Sequence, residues 1–285
     1  MPSGSRGHVR PVGSLQRDEA LRLCARDPVA NVYVAARILE VDLDRSRGAL
    51  LGYYTAGTDR LVSLCWRSAN VVPVECDEDA CEAFAAELRG HESRCSSIFG
   101  PTQAVAQLWR ALGTTWRRPM NVRPVQPVLA LAAERPLGSR LDPRVRLATV
   151  DEVDILMPAA AAMFTEEIGY APYTDRASQS AYRHSVRALI ARGHSFVLVE
   201  DDRVVFKADV GSSAIDTCQI QGVWVAPDRR GHGLAAPAVA ATVALARASV
   251  APLVTLYVNE YNEAALATYR RVGFEQVATF STILM

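Results

Sequence analysis

Ile220 to Ala235 reads IQGVWVAPDRRGHGLA: an apolar strand pattern runs into Pro227, and the turn Arg230-Gly231-His232-Gly233-Leu234-Ala235 opens a helix. Glycines let the backbone approach a ligand closely, and the free N–H groups of a helix N-terminus, with the positive end of its dipole, suit a pyrophosphate. Pro237 fits the first helical turn, where its missing N–H has no intrahelical partner. A Gly-x-Gly alone is also an ordinary strand-to-helix turn. The strand, the arginine and the helix together mark an anion cradle.

Working outward, the pattern predicts a strand near 145–147, helices over 151–164 and 178–191, and strands at 196–200 and 204–210. The turn Glu200-Asp201-Asp202-Arg203 makes the last two a hairpin. A strand at 217–225, a helix from about Gly233 to Ser249, a strand at 253–259, a helix over 262–271 and a strand near 276–284 complete a mixed α/β sheet with helices on both faces.

The stretch from Arg117 to Pro143 carries five prolines, with Gly138 and Ser139, and reads as a junction. Within it, Val125 to Leu131 has the pattern of an edge strand, and Ala133 to Pro143 (AERPLGSRLDP) is the cleanest linker. Two domains are expected, 1–135 and 136–285. The first is a faint copy of the second. Val9-Arg10 stands before a helical segment as Val145-Arg146 does, and TQAVAQLWRALG at 102–113 lies ungapped over NEAALATYRRVG at 262–273, with Trp109 on Tyr269 and Gly113 on Gly273. A duplication and a chance likeness of Ala-rich amphipathic helices both account for that match. The first half lacks the glycine loop. In its place stands Asn70 to Asp77, followed by Glu78 and Asp79, an acidic run that repels a pyrophosphate.

With 285 residues, 49% hydrophobic and 22% charged, the chain is of the soluble globular class, long enough for two cores without disulfide or metal staples. Thirty-one basic and 31 acidic residues give no net charge to attract nucleic acid or an anionic membrane, so neither is an expected partner. Lys207 is the only lysine. Cys24, Cys65, Cys76, Cys81, Cys95 and Cys218 include no C-x-x-C pair, which argues against zinc and for reduced, buried thiols. The N-terminal MPSGSRGHVRPVG has no apolar core of a signal peptide, and no apolar run approaches a bilayer span, so a cytoplasmic location is expected.

The loop at 230–235 resembles the Arg/Gln-x-x-Gly-x-Gly/Ala loop of the GNAT superfamily of N-acetyltransferases. The superfamily's second signature follows about thirty residues on, as Asn262-x-x-Ala265-x-x-x-Tyr269 and then Gly273-Phe274. The resemblance covers 145–285, while 1–125 resembles the degenerate GNAT-like domain that precedes such catalytic domains in some actinobacterial proteins. It implies that acetyl-CoA, as cosubstrate and with no metal, lies in a V between the strands ending at Val225 and Asn259. Val223, Trp224 and Val225 would meet the pantetheine, the amides of Arg230, Gly231, His232, Gly233, Leu234 and Ala235 the pyrophosphate, and Asn259 and Asn262 the cofactor arm. A strand N–H near Val225 would steady the thioester oxygen.

Tyr269 is the implied general acid, since a hydroxyl of pKa about 10 stays protonated until a thiolate of pKa about 8.5 forms beside it; a core aromatic is the plain alternative. The base is less defined. The family's strand glutamate has its nearest counterpart at Gln219, which cannot accept a proton, and Gln221 on the same face shares that limit. Glu166 and Glu167, in MFTEEIGYAPY, sit where the superfamily builds its acceptor pocket; a solvated helix end is the alternative. Tyr170, Tyr173 and Tyr182 line that pocket or pack beneath the loop. His184, His194 and His232 suit capping or surface positions. The resemblance therefore implies an acyltransferase of the non-aminoacyl kind, moving acetyl directly to an amine, small molecule or protein, in a ternary complex, as a monomer or homodimer. A FemX-like aminoacyltransferase and a non-catalytic acetyl-CoA sensor are the rivals.

Overall fold

A computed structural model of the chain describes residues 7–285, apart from the side chain of Thr114; the first six residues of the N-terminal stretch discussed above lie outside the described residues. Two compact units result: one holds the chain up to Val128 with Tyr257–Tyr261 and Gln276–Met285, the other Leu129–Leu256 with Asn262–Glu275.

The first half contributes β1 (His8–Pro11), α1 (Arg17–Cys24), α2 (Pro28–Glu40), β2 (Leu50–Tyr54), β3 (Leu61–Arg67), β4 (Asn70–Val74), α3 (Glu78–Glu87), β5 (Ser97–Pro101), α4 (Thr102–Leu112) and β6 (Asn121–Leu131). The second half repeats that order as β7 (Arg146–Leu147), α5 (Val153–Ile168), α6 (Arg176–Ala191), β8 (Ser195–Glu200), β9 (Arg203–Ala214), β10 (Thr217–Val225), α7 (Ala235–Ser249), β11 (Leu253–Tyr257), α8 (Glu263–Val272) and β12 (Glu275–Leu284). Pairing repeats as well. β1 to β4 are antiparallel neighbours and β4 pairs with β5 in parallel. β7 to β10 are antiparallel neighbours and β10 pairs with β11 in parallel. A chance likeness of two helices does not produce ten elements in one order with one pairing scheme, so the structure favours the duplication.

The last strand of the chain, β12, pairs antiparallel with β5 in the first unit, from Phe280 opposite Pro101 to Leu284 opposite Ser97. Linker composition cannot foresee this, because strand pairing is a contact between segments far apart in sequence. β6 lies beside β12, and on its other side Pro127 accepts the N–H of Val258, so the expected edge strand has neighbours on both sides. The first unit's core gathers Leu51, Phe84, Leu88, Ile98, Leu108 and Trp116. All six cysteines are free thiols, five of them buried, and burial pushes those of Cys24 and Cys218 up to about 12.

In the second unit, the local chemistry of each element sets its ends. Asp175 accepts from the Ser178 N–H to start α6, and Asn262 accepts from the Ala265 N–H to start α8. α5 and α8 stop at Gly169 and Gly273, both left-handed, at φ 94° and 110°. The β8–β9 hairpin turns through Asp201 and Asp202 at φ 49° and 54°. The linker segment is held down: Arg247 donates to the carbonyls of Leu131, Ala132 and Arg135, and Pro237 at the head of α7 accepts from the Asp142 N–H.

At the entrance to α5, Arg146 grips Glu152 through both nitrogens, at 2.8 and 2.5 Å, while Glu152 also accepts from the Thr149 N–H at 2.8 Å. The guanidinium first, and then the backbone donor, lower the Glu152 carboxyl to about 2. Because the folded value lies below the unfolded one of about 4.3, this stabilisation is complete above that pH and is lost as pH falls toward 2. Glu152→Gln is expected to flatten the decline of stability between about pH 4.5 and 2, read as urea midpoints against pH. An unchanged slope would remove Glu152 from the acid response.

Candidate active site

β10 carries the site because it stops pairing halfway along. It is bonded to β11 only from Thr217 opposite Leu253 to Gln219 opposite Thr255, and its remaining residues leave that neighbour. Against β9 the register slips twice. Gln219 faces Ser212 but Ile220 faces Val210, which makes Gly211 an extra residue; Gln221 faces Asp209 but Trp224 faces Lys207, so Gly222 and Val223 together oppose Ala208. Gly222 takes φ 59° in this second bulge, and its carbonyl accepts from Lys207 Nζ at 3.0 Å.

Past the strand, Gly231 and Gly233 adopt φ 76° and 75°, a region that L side chains rarely enter, and a Cβ on either would meet no atom within 4 Å. The loop is thus backbone facing open space. α7 follows at Ala235 with no side-chain cap on its first amides. Its counterpart in the first unit, α3, starts under Asp77, which accepts from the Ala80 N–H at 2.9 Å and is followed by Glu78 and Asp79. One helix start offers N–H groups to an anion; the other has filled the place with a carboxylate. The uncapped loop therefore fits a pyrophosphate, and the acidic one does not. A cavity of about 630 Å³ opens beside the loop, lined among others by Arg140, Asp142, Arg144, Arg229, His232 and Leu234.

Several of the expected site residues have partners within the chain. Arg230 folds back, giving Nε to the Val225 carbonyl at 2.9 Å and Nη2 to Glu166 at 2.8 Å, so its side chain clamps the end of β10. Glu166 also accepts from the Trp224 indole at 3.1 Å, which ties α5 to β10 and leaves that carboxylate paired. Asn262 spends its side-chain oxygen on the α8 cap. β11 ends at Tyr257, so Asn259 stands beyond the strand; it is buried in the first unit, where its Oδ1 accepts from Gln126 Nε2. Gln219 is buried at 6% exposure, whereas Gln221 is exposed; its side chain lies over Gly211 at a second, smaller cavity. The two glutamines thus differ in burial, and the register against β9 slips between Gln219 and Ile220.

Tyr269 lies within the electrostatic reach of Glu167. Tyr269 is 7% exposed on α8, with its ring edge-on to Phe274. Burial, and then the negative charge of Glu167, push its hydroxyl well above the ordinary range. Tyr182 hydrogen-bonds the Ala160 carbonyl at 2.9 Å, contacts the rings of Phe164 and Tyr173, and is raised by burial to about 12. His232 is exposed in the loop and His184 on α6. The residues that sequence reasoning missed are Lys207, Asp209 and Ser195: Lys207 Nζ meets Asp209 Oδ2 at 2.5 Å, and Ser195 donates to Asp209 Oδ1 at 2.6 Å. A lysine two positions before an aspartate on an apolar strand was the available signal. No group of three or more His, Cys, Asp or Glu among the described residues could hold a metal ion, and no described helix is long and apolar enough to cross a membrane.

With this geometry established, comparison with known proteins gives the class. Residues 160–274 match the sequence model of the acetyltransferase (GNAT) family, and residues 48–156 match that of a domain of unknown function, DUF4081. The C-terminal part of the chain is a GNAT acetyltransferase domain, and the whole is a tandem of GNAT-like folds. A GCN5-related N-acetyltransferase from Sphaerobacter thermophilus is similar at 15% identity and TM-score 0.62, covering 98% of this chain and 95% of that one. A tandem GNAT protein from the clavulanic acid biosynthesis pathway is similar at 14% identity and TM-score 0.59, over 98% of each chain. A GCN5-related N-acetyltransferase from Kribbella flavida shares 19% identity at TM-score 0.55, covering 92% of this chain and 95% of that one. At these identities the likeness is one of fold. None of the curated proteins matches the chain.

The shifts at Tyr182 and Tyr269 have a direct readout among the nine tyrosines. In an alkaline absorbance titration, phenolate should fall short of nine equivalents at pH 11 in native protein and reach nine in urea. Tyr182→Phe and Tyr269→Phe should each remove late-titrating amplitude. Loss from the early phase instead would contradict the burial of those hydroxyls.

Proposed function

We propose that the second unit transfers an acetyl group from acetyl-CoA to an amine by direct attack in a ternary complex. The observation that carries this reading is the uncapped start of α7, with two glycines at positive φ, placed where β10 departs from β11. Acetyl-CoA as the cosubstrate would set its pyrophosphate against the amides from Arg230 to Ala235 and supply the activated acetyl group. The exposed amides of β10 beyond Gln219 would hold the pantetheine by strand-like hydrogen bonds. Neutral overall charge and an acetyl-CoA loop speak against transfer from a charged tRNA.

The amine must lose a proton before it attacks, and the departing sulfur must gain one. Glu167 would take the first, directly or through water, and Tyr269 would give the second as the carbon–sulfur bond breaks. The two groups are coupled by charge. While Glu167 is ionised it helps to hold the Tyr269 proton in place; once Glu167 is protonated, that hold weakens as the proton is required at sulfur. Burial opposes a free thiolate beside Tyr269 just as it opposes a phenolate, so the high hydroxyl pKa does not by itself bar the transfer. Gln219, buried and without basicity, has no part in this scheme.

Calorimetric titration of acetyl-CoA into the full chain tests the cradle. Wild type should bind, and Gly233→Val, forced into a strained φ of 75°, should bind about tenfold more weakly with its circular dichroism unchanged. Absence of binding by folded wild type overturns the reading, and binding without transfer to any amine or slow hydrolysis makes the protein a sensor.

Tyr269→Phe should lower kcat by about a hundredfold or more while leaving the acetyl-CoA affinity in place, and Glu167→Gln should lower kcat throughout the pH range in which wild type turns over. Wild type should show no tyrosine-dependent alkaline limb below about pH 11, in keeping with the raised hydroxyl. An unchanged rate in either variant removes that residue from the mechanism.

A further inference from the structure

Gly222 and Val223 are the two residues that the sheet ladder passes over in the middle of the site. β11 stops pairing with β10 at Gln219, and on the β9 side both residues stand opposite Ala208. Main-chain polar groups along a strand turn to alternate sides. Val210 gives its N–H to the carbonyl of His194, just ahead of β8, so by alternation Ala208 also turns to β8, while Lys207 and Asp209 turn to β10. Ala208 therefore offers no ladder bond to either residue of the bulge. A carbonyl in such a place needs a donor, and Gly222 finds it in a side chain, Lys207 Nζ at 3.0 Å.

Lys207 is 1% exposed and Asp209 6%. Asp209 Oδ2 takes Nζ at 2.5 Å, and Asp209 is itself steadied by Ser195, whose hydroxyl donates to Oδ1 at 2.6 Å. A buried ion pair is costly to desolvate and adds little stability over an apolar pair, so its place beneath the bulge needs a reason other than packing. Lys207 is also the only lysine among 31 basic residues. An ammonium is a compact point donor on a flexible stem, whereas the guanidinium used elsewhere in the chain spreads its donors over a planar fork. The space is tight: a Cβ on Gly222 would lie 3.1 Å from Nζ and 3.3 Å from Asp209 Oδ2. The place takes one donor aimed at one carbonyl.

The peptide bond between Gly222 and Val223 carries the effect to its other end. It is trans, so its C=O and N–H point in opposite directions. With the Gly222 carbonyl drawn to Lys207, the Val223 N–H is turned away from Lys207 and held there. A cation on the carbonyl oxygen also polarises the peptide and makes its N–H the stronger donor. Counted back from the loop at Arg230 to Ala235, Val223 lies farther along β10 than Val225, toward where the acyl end of a thioester held by its pyrophosphate would reach. We propose that Lys207 is a positioning residue for acetyl transfer: through this peptide it aims and strengthens the Val223 N–H as the donor to the acyl oxygen. As the amine adds to the acyl carbon, an electron pair of the C=O bond moves onto that oxygen, and it returns when the carbon–sulfur bond breaks; a fixed N–H lowers the energy of the charged state between. This inference rests on the acetyltransferase reading and adds to it a group outside the cofactor loop, with Asp209 and Ser195 holding Lys207 in place.

The test uses full-length protein labelled with nitrogen-15 valine, in which Val223→Ile identifies the Val223 amide resonance. Acetyl-CoA should move that amide proton downfield, and CoA, which has no acyl oxygen, should not. In Lys207→Met with Asp209→Asn, which removes both charges together, this difference between the two ligands should shrink, kcat should fall about tenfold or more, and the Kd of CoA should stay within about twofold of wild type, since the pyrophosphate loop is untouched. A role in packing alone would leave the difference between acetyl-CoA and CoA as it is in wild type. Should that variant fail to fold, Lys207→Gln with Asp209→Asn, which keeps a neutral donor, takes its place, with kcat lowered about threefold. If neither ligand binds folded wild type, the acetyltransferase reading itself has failed. If both bind, then a Val223 amide that responds equally to the two, or a folded double variant with the wild-type kcat and the wild-type amide response, overturns the assignment of Lys207.

Discussion

Everything at the site follows from the short parallel pairing of β10 with β11. Three residue pairs hold the strands together, from Thr217 and Leu253 to Gln219 and Thr255, and beyond them β10 is bent off by Gly222 and Val223 opposite Ala208. A strand that continued in register would bond its amides to its neighbour and leave nothing for a ligand. The bulge has two physical supports. Glycine tolerates φ 59°, and the Lys207 ammonium, itself anchored by Asp209, holds the Gly222 carbonyl. The charge pair beneath the strand is thus part of what keeps the strand open.

The two halves share one fold and differ at one helix start. Both run through the same ten elements with the same pairing, and both place a helix after the fourth strand. In the first, Asp77 and the acids behind it satisfy the amides and the dipole of α3 from within the chain. In the second, glycines keep the loop bare and α7 begins with its amides unclaimed. A carboxylate at a helix start stabilises the helix and excludes an anion for one and the same electrostatic reason. The first half has a well-filled core around Phe84, Leu88 and Leu108.

Much of the second half was legible because its signals are local. Strand β10 falls where the apolar run lies, the β8–β9 turn sits on its two aspartates, and α8 begins one residue after Asn262. Side-chain roles were less legible, because they depend on which partner arrives first. Arg230 and Glu166 found each other across 64 positions, Trp224 joined them, and Asn259 was drawn into a buried amide network with Gln126 and Thr282. Gln219 and Gln221 ended at different depths, which no period-two argument anticipates.

The sequence by itself determined the order of elements, the glycine-bearing loop ahead of α7 and the acidic cap that closes its counterpart. Each is written in neighbouring residues, or in spacing along a single helix or strand. Tertiary structure alone decided that β12 completes the first unit, that Glu167 presses its charge on Tyr269, and that Lys207, Asp209 and Ser195 meet under a bulge to floor a cavity walled by α5 and α6. The physical reason is the same in each case: strand partners, bulge register and buried charge pairs are fixed by groups that come from separate segments, and their energies exist only once those segments have packed.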